Sequence, residues 1–167
     1  MKGLSESHGA SLVGLDHRLK TEDSLARKIA SISEKAGISA DKAAGMVSDA
    51  LRYTMVTDES HYVQAVNQVV ADLRGQGWKA EVRNYWLKTN NPYQGVNVPL
   101  TSPDGQKIEL QFHTPTSFQV KDGQMHSLYE QERVLKKDDP KKTDLNRQMA
   151  DLASTIPAPP GIDKISI

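Results

Sequence analysis

The sequence predicts an α+β fold in which a mixed β-sheet of about five strands is flanked by helices. Two observations lead there. A strongly amphipathic helical segment separates the first two β-rich runs, which is the arrangement of a βα crossover. The third and fourth runs are joined by Ser102-Pro103-Asp104-Gly105, a turn sequence suited to a hairpin, so the sheet also holds antiparallel pairs.

The elements follow in order. Residues 1–15 are rich in Gly, Ser and His without a clear period and are expected to form a flexible lead-in to a domain spanning 16–156. Leu25, Ile29, Ile32 and Ala36 recur at helical spacing, with Thr21 or Asp23 as cap and Gly37 as terminator. Ser39 opens a short second helix through Met46. Residues 50–56 read as a buried strand. Ser60 is expected to cap a helix whose inner face is Val63, Val66, Val69, Val70 and Leu73. Residues 78–87 alternate and read as one strand, and 94–100 and 107–113 as the hairpin. Helices are expected over 126–136 and about 144–154, followed by an extended Pro-rich tail, 157–167.

With 167 residues, the chain is long enough for one core, burying roughly two-thirds of its unfolded surface. The 21 basic and 21 acidic residues cancel, which argues against sequence-independent nucleic-acid binding. The absence of cysteine excludes thiolate chemistry and disulfides. No apolar run approaches the ~20 residues that span a bilayer, and Met1 to Leu15 lacks the pattern of a signal peptide.

On the fourth strand Glu109, Gln111 and His113 share one face and Ile108, Leu110 and Phe112 the other. The polar face reads either as a solvated sheet surface or as the floor of a cleft. Asp49, just before a buried strand, reads as a turn residue or, near a second carboxylate, as a magnesium ligand. Arg18, Lys20, Ser24 and Lys28 concentrate cations and a hydroxyl around a helix start, as a solvated face or a phosphate site. Tyr93 beside Pro92 is a candidate base-stacking ring. Trp78, Tyr85 and Trp86 read as core, and His8 and His61 as surface residues. No P-loop, dinucleotide fingerprint, zinc-protease or nucleophile-elbow motif occurs.

In this order the segments resemble the synthetase domain of the RelA/SpoT family of alarmone enzymes, over roughly residues 16–135. Arg18, Lys20, Ser24 and Lys28 are similar to the family's ATP-binding segment. Asp49-Ala50-Leu51-Arg52 resembles the stretch that opens its first strand, where the Asp holds magnesium. Val82-Arg83-Asn84-Tyr85 resembles its Lys-Asp-Tyr segment, and 91–97 its loop with the base-stacking Tyr, here Tyr93. Residues 108–114 resemble its Glu-x-Gln-x-Arg-Thr strand, and His126 to Tyr129 its His-x-x-Tyr helix. The chain departs from the pattern at Pro92, Asn97, His113 and the Arg83-Asn84 pair.

The resemblance implies a nucleotidyltransferase-like fold and an ATP-dependent pyrophosphokinase. ATP would be the donor, with Mg2+ held by Asp49 and Glu109. Arg18, Lys20, Ser24, Lys28 and Arg52 would take the donor. Arg83, Lys88, Tyr93 and Asn97 would take the acceptor, with Glu109 as general base and Gln111 orienting it. The departures fall on acceptor positions and favour an adenosine nucleotide (AMP, ADP or ATP, giving (p)ppApp) over GDP or GTP. A minimal, diverged domain is most similar to toxin members, including interbacterial type VI effectors, which implies a cognate immunity protein, delivery from a longer protein and action in a bacterial cytoplasm. The alternatives are a (p)ppGpp synthetase, a tRNA 3′-end pyrophosphokinase, which the neutral charge disfavours, and a non-catalytic nucleotide- or protein-binding module.

Overall fold

A computed structural model describes residues 1–89, 91–136 and 138–166. Its helices are α1 (Lys2–Ser7), α2 (Glu22–Ala36), α3 (Ala40–Met46), α4 (Tyr62–Gly75), α5 (Pro115–Val120), α6 (His126–Glu132) and α7 (Pro140–Ser154). Its strands are β1 (Ser11–Val13), β2 (Arg52–Val56), β3 (Lys79–Ala80), β4 (Arg83–Asn84), β5 (Val96–Thr101) and β6 (Lys107–His113). They form one six-stranded sheet in the order β1-β2-β6-β5-β3, with β4 also on β5. Among the described residues β2 and β6 run parallel and the other pairs are antiparallel. The α+β class and the mixed sheet flanked by helices are as the sequence predicts.

The local signals act as their chemistry requires. Thr21 and Ser39 accept hydrogen bonds from the third backbone N–H beyond them and cap α2 and α3. Gly37 ends α2 at φ 62°, a left-handed conformation that glycine adopts without strain. One face of the sheet packs on α4: Tyr62, Val66, Val69, Val70 and Leu73 meet Met55, Val96, Val98, Leu100, Ile108, Leu110 and Phe112 in the main core. Trp78 and Trp86 pack at its margin.

Several expectations are corrected. The lead-in is ordered: β1 pairs with β2, Ser5 and Ala10 are buried, and His8 is held by Asp72 at 2.7 Å. The tail is docked as well. Ile165 enters the main core, and Asn67 bonds to the Lys164 carbonyl and the Ser166 N–H. Ser60 does not cap α4; the Asp58 carboxylate takes the His61 N–H. The strand expected over 78–87 is split into β3 and β4. The register on β5 is unbroken, Ala80 facing Leu100 and Arg83 facing Asn97. Glu81 N–H bonds to the Pro99 carbonyl, but Pro99 has no N–H to return the bond, so the ladder lapses between the two pieces. The helix expected from 126 ends at Glu132, and α5 precedes it, with Pro115 at its start and a reciprocal cap between Thr114 and Ser117. No helix among the described residues is long and apolar enough to cross a membrane.

Candidate active site

The second face of the sheet carries rows of polar side chains. Cross-strand partners point the same way, so Arg52 and Glu109 form one row and Thr54, Gln111, Asn97 and Arg83 the next. Glu109 is 8%, Gln111 3% and His113 0% exposed. These values exclude a solvated sheet surface and leave a buried polar floor.

The carboxylates meet at the end where β2 begins. The Asp49 carboxylate is held by the Lys28 Nζ at 2.7 Å, the Lys20 Nζ at 3.2 Å and the Arg52 guanidinium at 3.2 Å. Arg52 also donates its Nε–H to Glu109 Oε1 at 2.8 Å, so one guanidinium ties the two carboxylates together. Local backbone pairing brings Lys20 there. Residues 18–20 run beside 50–52, with Lys20 N–H on the Ala50 carbonyl and Arg52 N–H on the Arg18 carbonyl. Lys28 reaches Asp49 from the second turn of α2. Burial pushes the Asp49 carboxyl up, but the Lys28 hydrogen bond and the charges of Lys20 and Lys28 outweigh it and hold the group below its ordinary value.

Two oxygens are left for a ligand. Glu109 takes both of its bonds, from Arg52 and from the Gln111 Nε2 at 3.0 Å, on Oε1, and Oε2 has no partner among the described residues. Gln111 Oε1 is buried with no hydrogen-bond partner. An orphaned buried acceptor costs about 1–3 kcal/mol, and a ligand hydroxyl is a group that could remove that cost.

Arg18 and Ser24 stand outside this cluster. The Arg18 guanidinium donates to the Leu15 carbonyl at 2.8 Å, and the Ser24 hydroxyl accepts from Arg27 at 3.1 Å. Arg83 pairs with Glu81 at 2.8 Å. Lys88 lies over the Tyr85 ring, 4.1 Å from its centre, and lines an open groove of about 710 Å³ with Asn91, Pro92, Gln94, Asn146 and Arg147.

Tyr93 and Asn97 face inward. The Tyr93 hydroxyl donates to Asn97 Oδ1 at 2.6 Å and lies 2.9 Å from His113 Nε2, while His113 Nδ1 lies 2.9 Å from the Ser117 hydroxyl. A neutral His113 with its proton on Nε2 satisfies every member: Ser117 donates to His113, His113 to Tyr93 and Tyr93 to Asn97. The Tyr93 ring sits perpendicular to Tyr85 and to His113, each 5.3 Å away. Gly95 makes room for this contact, since a Cβ there would come within 2.7 Å of the His113 ring. Burial first, and the charge of Lys121 second, push the His113 pKa down to about 3. The unfolded value is about 6.5. His113 is thus neutral when folded and takes a proton more readily when unfolded. Its contribution to stability is complete above about pH 6.5 and is lost as pH falls from there toward 3. Thermal melts from pH 7 to 4 are expected to show a decline that His113→Gln lessens; an equal decline in both proteins would rule His113 out as its source.

No family model matches the chain, and no curated protein matches it in sequence. Solved structures do match. One is the type VI effector Tas1, in complex with its immunity protein, with 20% identity over 93% of this chain and 87% of that one, at a TM-score of 0.59. Another is small alarmone synthetase 1 from Bacillus subtilis bound to its product pppGpp, with 17% identity over 83% and 68% and a TM-score of 0.52. A GTP pyrophosphokinase family protein from Streptococcus pneumoniae follows at 16% identity over 92% and 77%, with a TM-score of 0.55. The fold is that of the alarmone synthetases.

Within this synthetase fold, the structure brings Asp49, Arg52, Glu109, Gln111, Lys20 and Lys28 together, and Tyr93 with Asn97. Ser117 and Phe118 meet His113 on the same polar side of the sheet, with the Lys121 amine over the outer Phe118 ring, and all three are absent from the sequence-derived set. Phe118 meets the His113 ring at 6.2 Å. Their signal was a missed helix, α5, which Pro115 and the Thr114 to Ser117 cap could have revealed. Magnesium in nucleotide sites takes one or two protein carboxylates and phosphate oxygens. Asp49 and Glu109 supply that donor set. The described residues hold no cluster of three or more His, Cys, Asp or Glu able to bind a bare ion. Asp49 is also saturated with cations, so the residues fit magnesium that arrives with phosphates.

Proposed function

We propose that the protein is an ATP-dependent pyrophosphokinase that transfers the β,γ-pyrophosphate of ATP to the 3′-hydroxyl of a nucleotide. The observation that supports this most is the convergence of Lys20, Lys28 and Arg52 on Asp49, with Arg52 bridging to Glu109 on the parallel strand. Lys20, Lys28 and Arg52 neutralise the triphosphate, with Arg18 and Ser24 at the rim of the same helix start. Asp49 and Glu109 would hold magnesium, which would supply positive charge to offset that of the phosphates. Glu109 Oε2 takes the proton of the acceptor 3′-hydroxyl as its oxygen bonds to the β-phosphorus. The bond from that phosphorus to the α,β-bridging oxygen breaks, and AMP leaves. Gln111 Oε1 accepts from a ribose hydroxyl. Positioning and charge neutralisation carry most of such a reaction.

An adenosine nucleotide is the preferred acceptor in this proposal. The Tyr93 hydroxyl and the His113 ring nitrogens are engaged by each other, by Asn97 Oδ1 and by Ser117, which leaves neither ring a free group to read the edge of guanine, while the Asn97 amide keeps its N–H donors for a ligand. Arg83 and Lys88 border the acceptor side, and Lys88 faces the open groove. As a toxin, the protein would consume ATP in a bacterial cytoplasm after delivery and would be paired with an immunity protein. The likeness to a type VI effector solved with its immunity protein supports this.

The test is chromatography of ATP labelled at the α- or γ-phosphate, incubated with the protein, Mg2+ and each of AMP, ADP, ATP, GDP and GTP. Labelled AMP is expected from the first label and a labelled acceptor from the second, strongest with adenosine nucleotides. No AMP with any acceptor would leave a nucleotide-binding module.

A further inference from the structure

The α2–α3 hairpin is set apart from the rest of the fold. No residue of α2 is buried, although Leu25, Ile29 and Ile32 form an apolar row along it. None of its side chains enters either hydrophobic cluster of the described residues, and α2 packs mainly on α3. A 15-residue helix held in this way lacks the burial from which most helices in proteins draw their stability. Sparse apolar burial marks the parts of a fold that open at low cost.

The hairpin is also hinged at one place. The chain leaves the sheet after Lys20 and returns at Ala50, and the Lys20 N–H bonds to the Ala50 carbonyl at 2.9 Å. Thr21 and Val47, which flank the two helices, have extended backbone. Hinges are a few residues of this kind at element ends, where a change of dihedral angle is absorbed. Between these points, two side-chain bonds tie residues 22–46 to the rest of the described chain. One is Lys28 to Asp49 at 2.7 Å, and the other runs from the exposed Lys107 to the Gly45 carbonyl.

The Lys28–Asp49 pair is incompatible with a bound donor. In the transfer proposed above, Lys28 meets a phosphate oxygen, and Asp49 meets magnesium carried by the phosphates. Magnesium–oxygen bonds of about 2.1 Å and an ammonium–oxygen hydrogen bond of about 2.8 Å then lie between the two groups. Their separation must grow from 2.7 Å to about 5 Å or more. Lys20 and Arg52 hold Asp49 from the sheet side, so α2 is the part free to move. Resting on ATP as the donor, we propose that the α2–α3 hairpin is a lid over the donor site, latched to Asp49 by Lys28 in the ligand-free protein and re-seated on the nucleotide when ATP and magnesium part that pair. The latch covers the carboxylate until the donor arrives, so magnesium alone does not release it.

The test is hydrogen exchange of the full chain, followed in peptides from residues 22–46 with α4 as internal control. Wild type and K28M are compared without ligand, with Mg2+ alone, and with Mg2+ and α,β-methylene-ATP, whose P–C–P bridge resists transfer. Without ligand, residues 22–46 of K28M are expected to exchange on the order of 5-fold faster than those of the wild type, with α4 unchanged. In the wild type, Mg2+ alone should change nothing, and the analogue with Mg2+ should slow exchange in 22–46. Equal exchange of 22–46 in the two ligand-free proteins, or an equal rise in α4, overturns the latch. Unchanged exchange of 22–46 with the analogue bound, as shown by calorimetry, overturns the lid. The ligand-free comparison needs no nucleotide, so it is independent of the transfer, which fails if the wild type releases AMP with no acceptor. An analogue that does not bind removes the donor reading and the lid with it. Where K28M fails to fold, K28Q, which keeps an N–H donor without the charge, carries the same comparison.

Discussion

Glu109→Gln is expected to lower kcat for AMP release by about 10²- to 10⁴-fold, the range of a positioned general base. The substitution keeps the side chain's length and a carbonyl oxygen for Arg52 and Gln111, which both bond to Oε1 in the wild type. It removes the basicity of Oε2, the oxygen without a protein partner. The KM for ATP should change far less than kcat, because Lys20 and Lys28 bind at Asp49 and do not touch Glu109. Glu109→Ala should cost as much activity and also some stability, since Arg52 and Gln111 then lose their shared acceptor in a buried place. The measurement is steady-state AMP release with the melting temperature as control. Transfer at the wild-type rate in Glu109→Gln would remove Glu109 from proton abstraction.

Much of this site is legible in the sequence because its parts are local. Asp49 precedes a strand, Glu109 and Gln111 alternate on another, and Lys20 and Lys28 lie eight residues apart around a capped helix start. What the sequence leaves open is which polar residues meet ligand and which meet each other. Asn97 and Tyr93 look alike in either role, and only the register of β5 on β6 puts Asn97 beside Gln111 and within reach of the Tyr93 hydroxyl. The polar face of β6 gives no sign of its own burial, since alternation is the same for a wet face and for one covered by Arg52, Tyr93 and the α5 side chains Ser117 and Phe118. The ordered first residues were hidden for a related reason. β1 has three residues, too few for a periodic signal, and is held by its pairing with β2.

The gap at Pro99 shows the same limit from the other side. Residues 78–87 do carry a strand pattern, and the register confirms that the chain keeps to that path. One missing N–H on the partner strand, invisible from residues 78–87 themselves, divides it. The consequence for the site is an irregular rim at Arg83 and Tyr85, on the side where the open groove and Lys88 lie.

Asp49→Asn should act on three properties at once, and their signs differ. Lys20, Lys28 and Arg52 would face one another without their carboxylate, so the ligand-free protein loses stability. These cations are partly solvated, which limits the loss to about 1–2 kcal/mol rather than the larger cost of a fully buried broken pair. The wild-type carboxyl titrates below its ordinary value, so its contribution is present above about pH 3.9 and disappears as pH falls through the folded value. The variant should lack this acid-sensitive part. Affinity for ATP without metal should rise, because a negative charge has left the site proposed to hold its phosphates. Turnover should nevertheless fall by about 10²–10³-fold, as expected on removing a charge that holds the reacting groups in place, and the response to Mg2+ should flatten. Melting curves, calorimetry with metal-free ATP and a Mg2+ titration of AMP release measure the three effects. A variant that keeps the wild-type Mg2+ response would show that Asp49 only pairs with the cations around it, and the donor half of the site would then need another metal ligand.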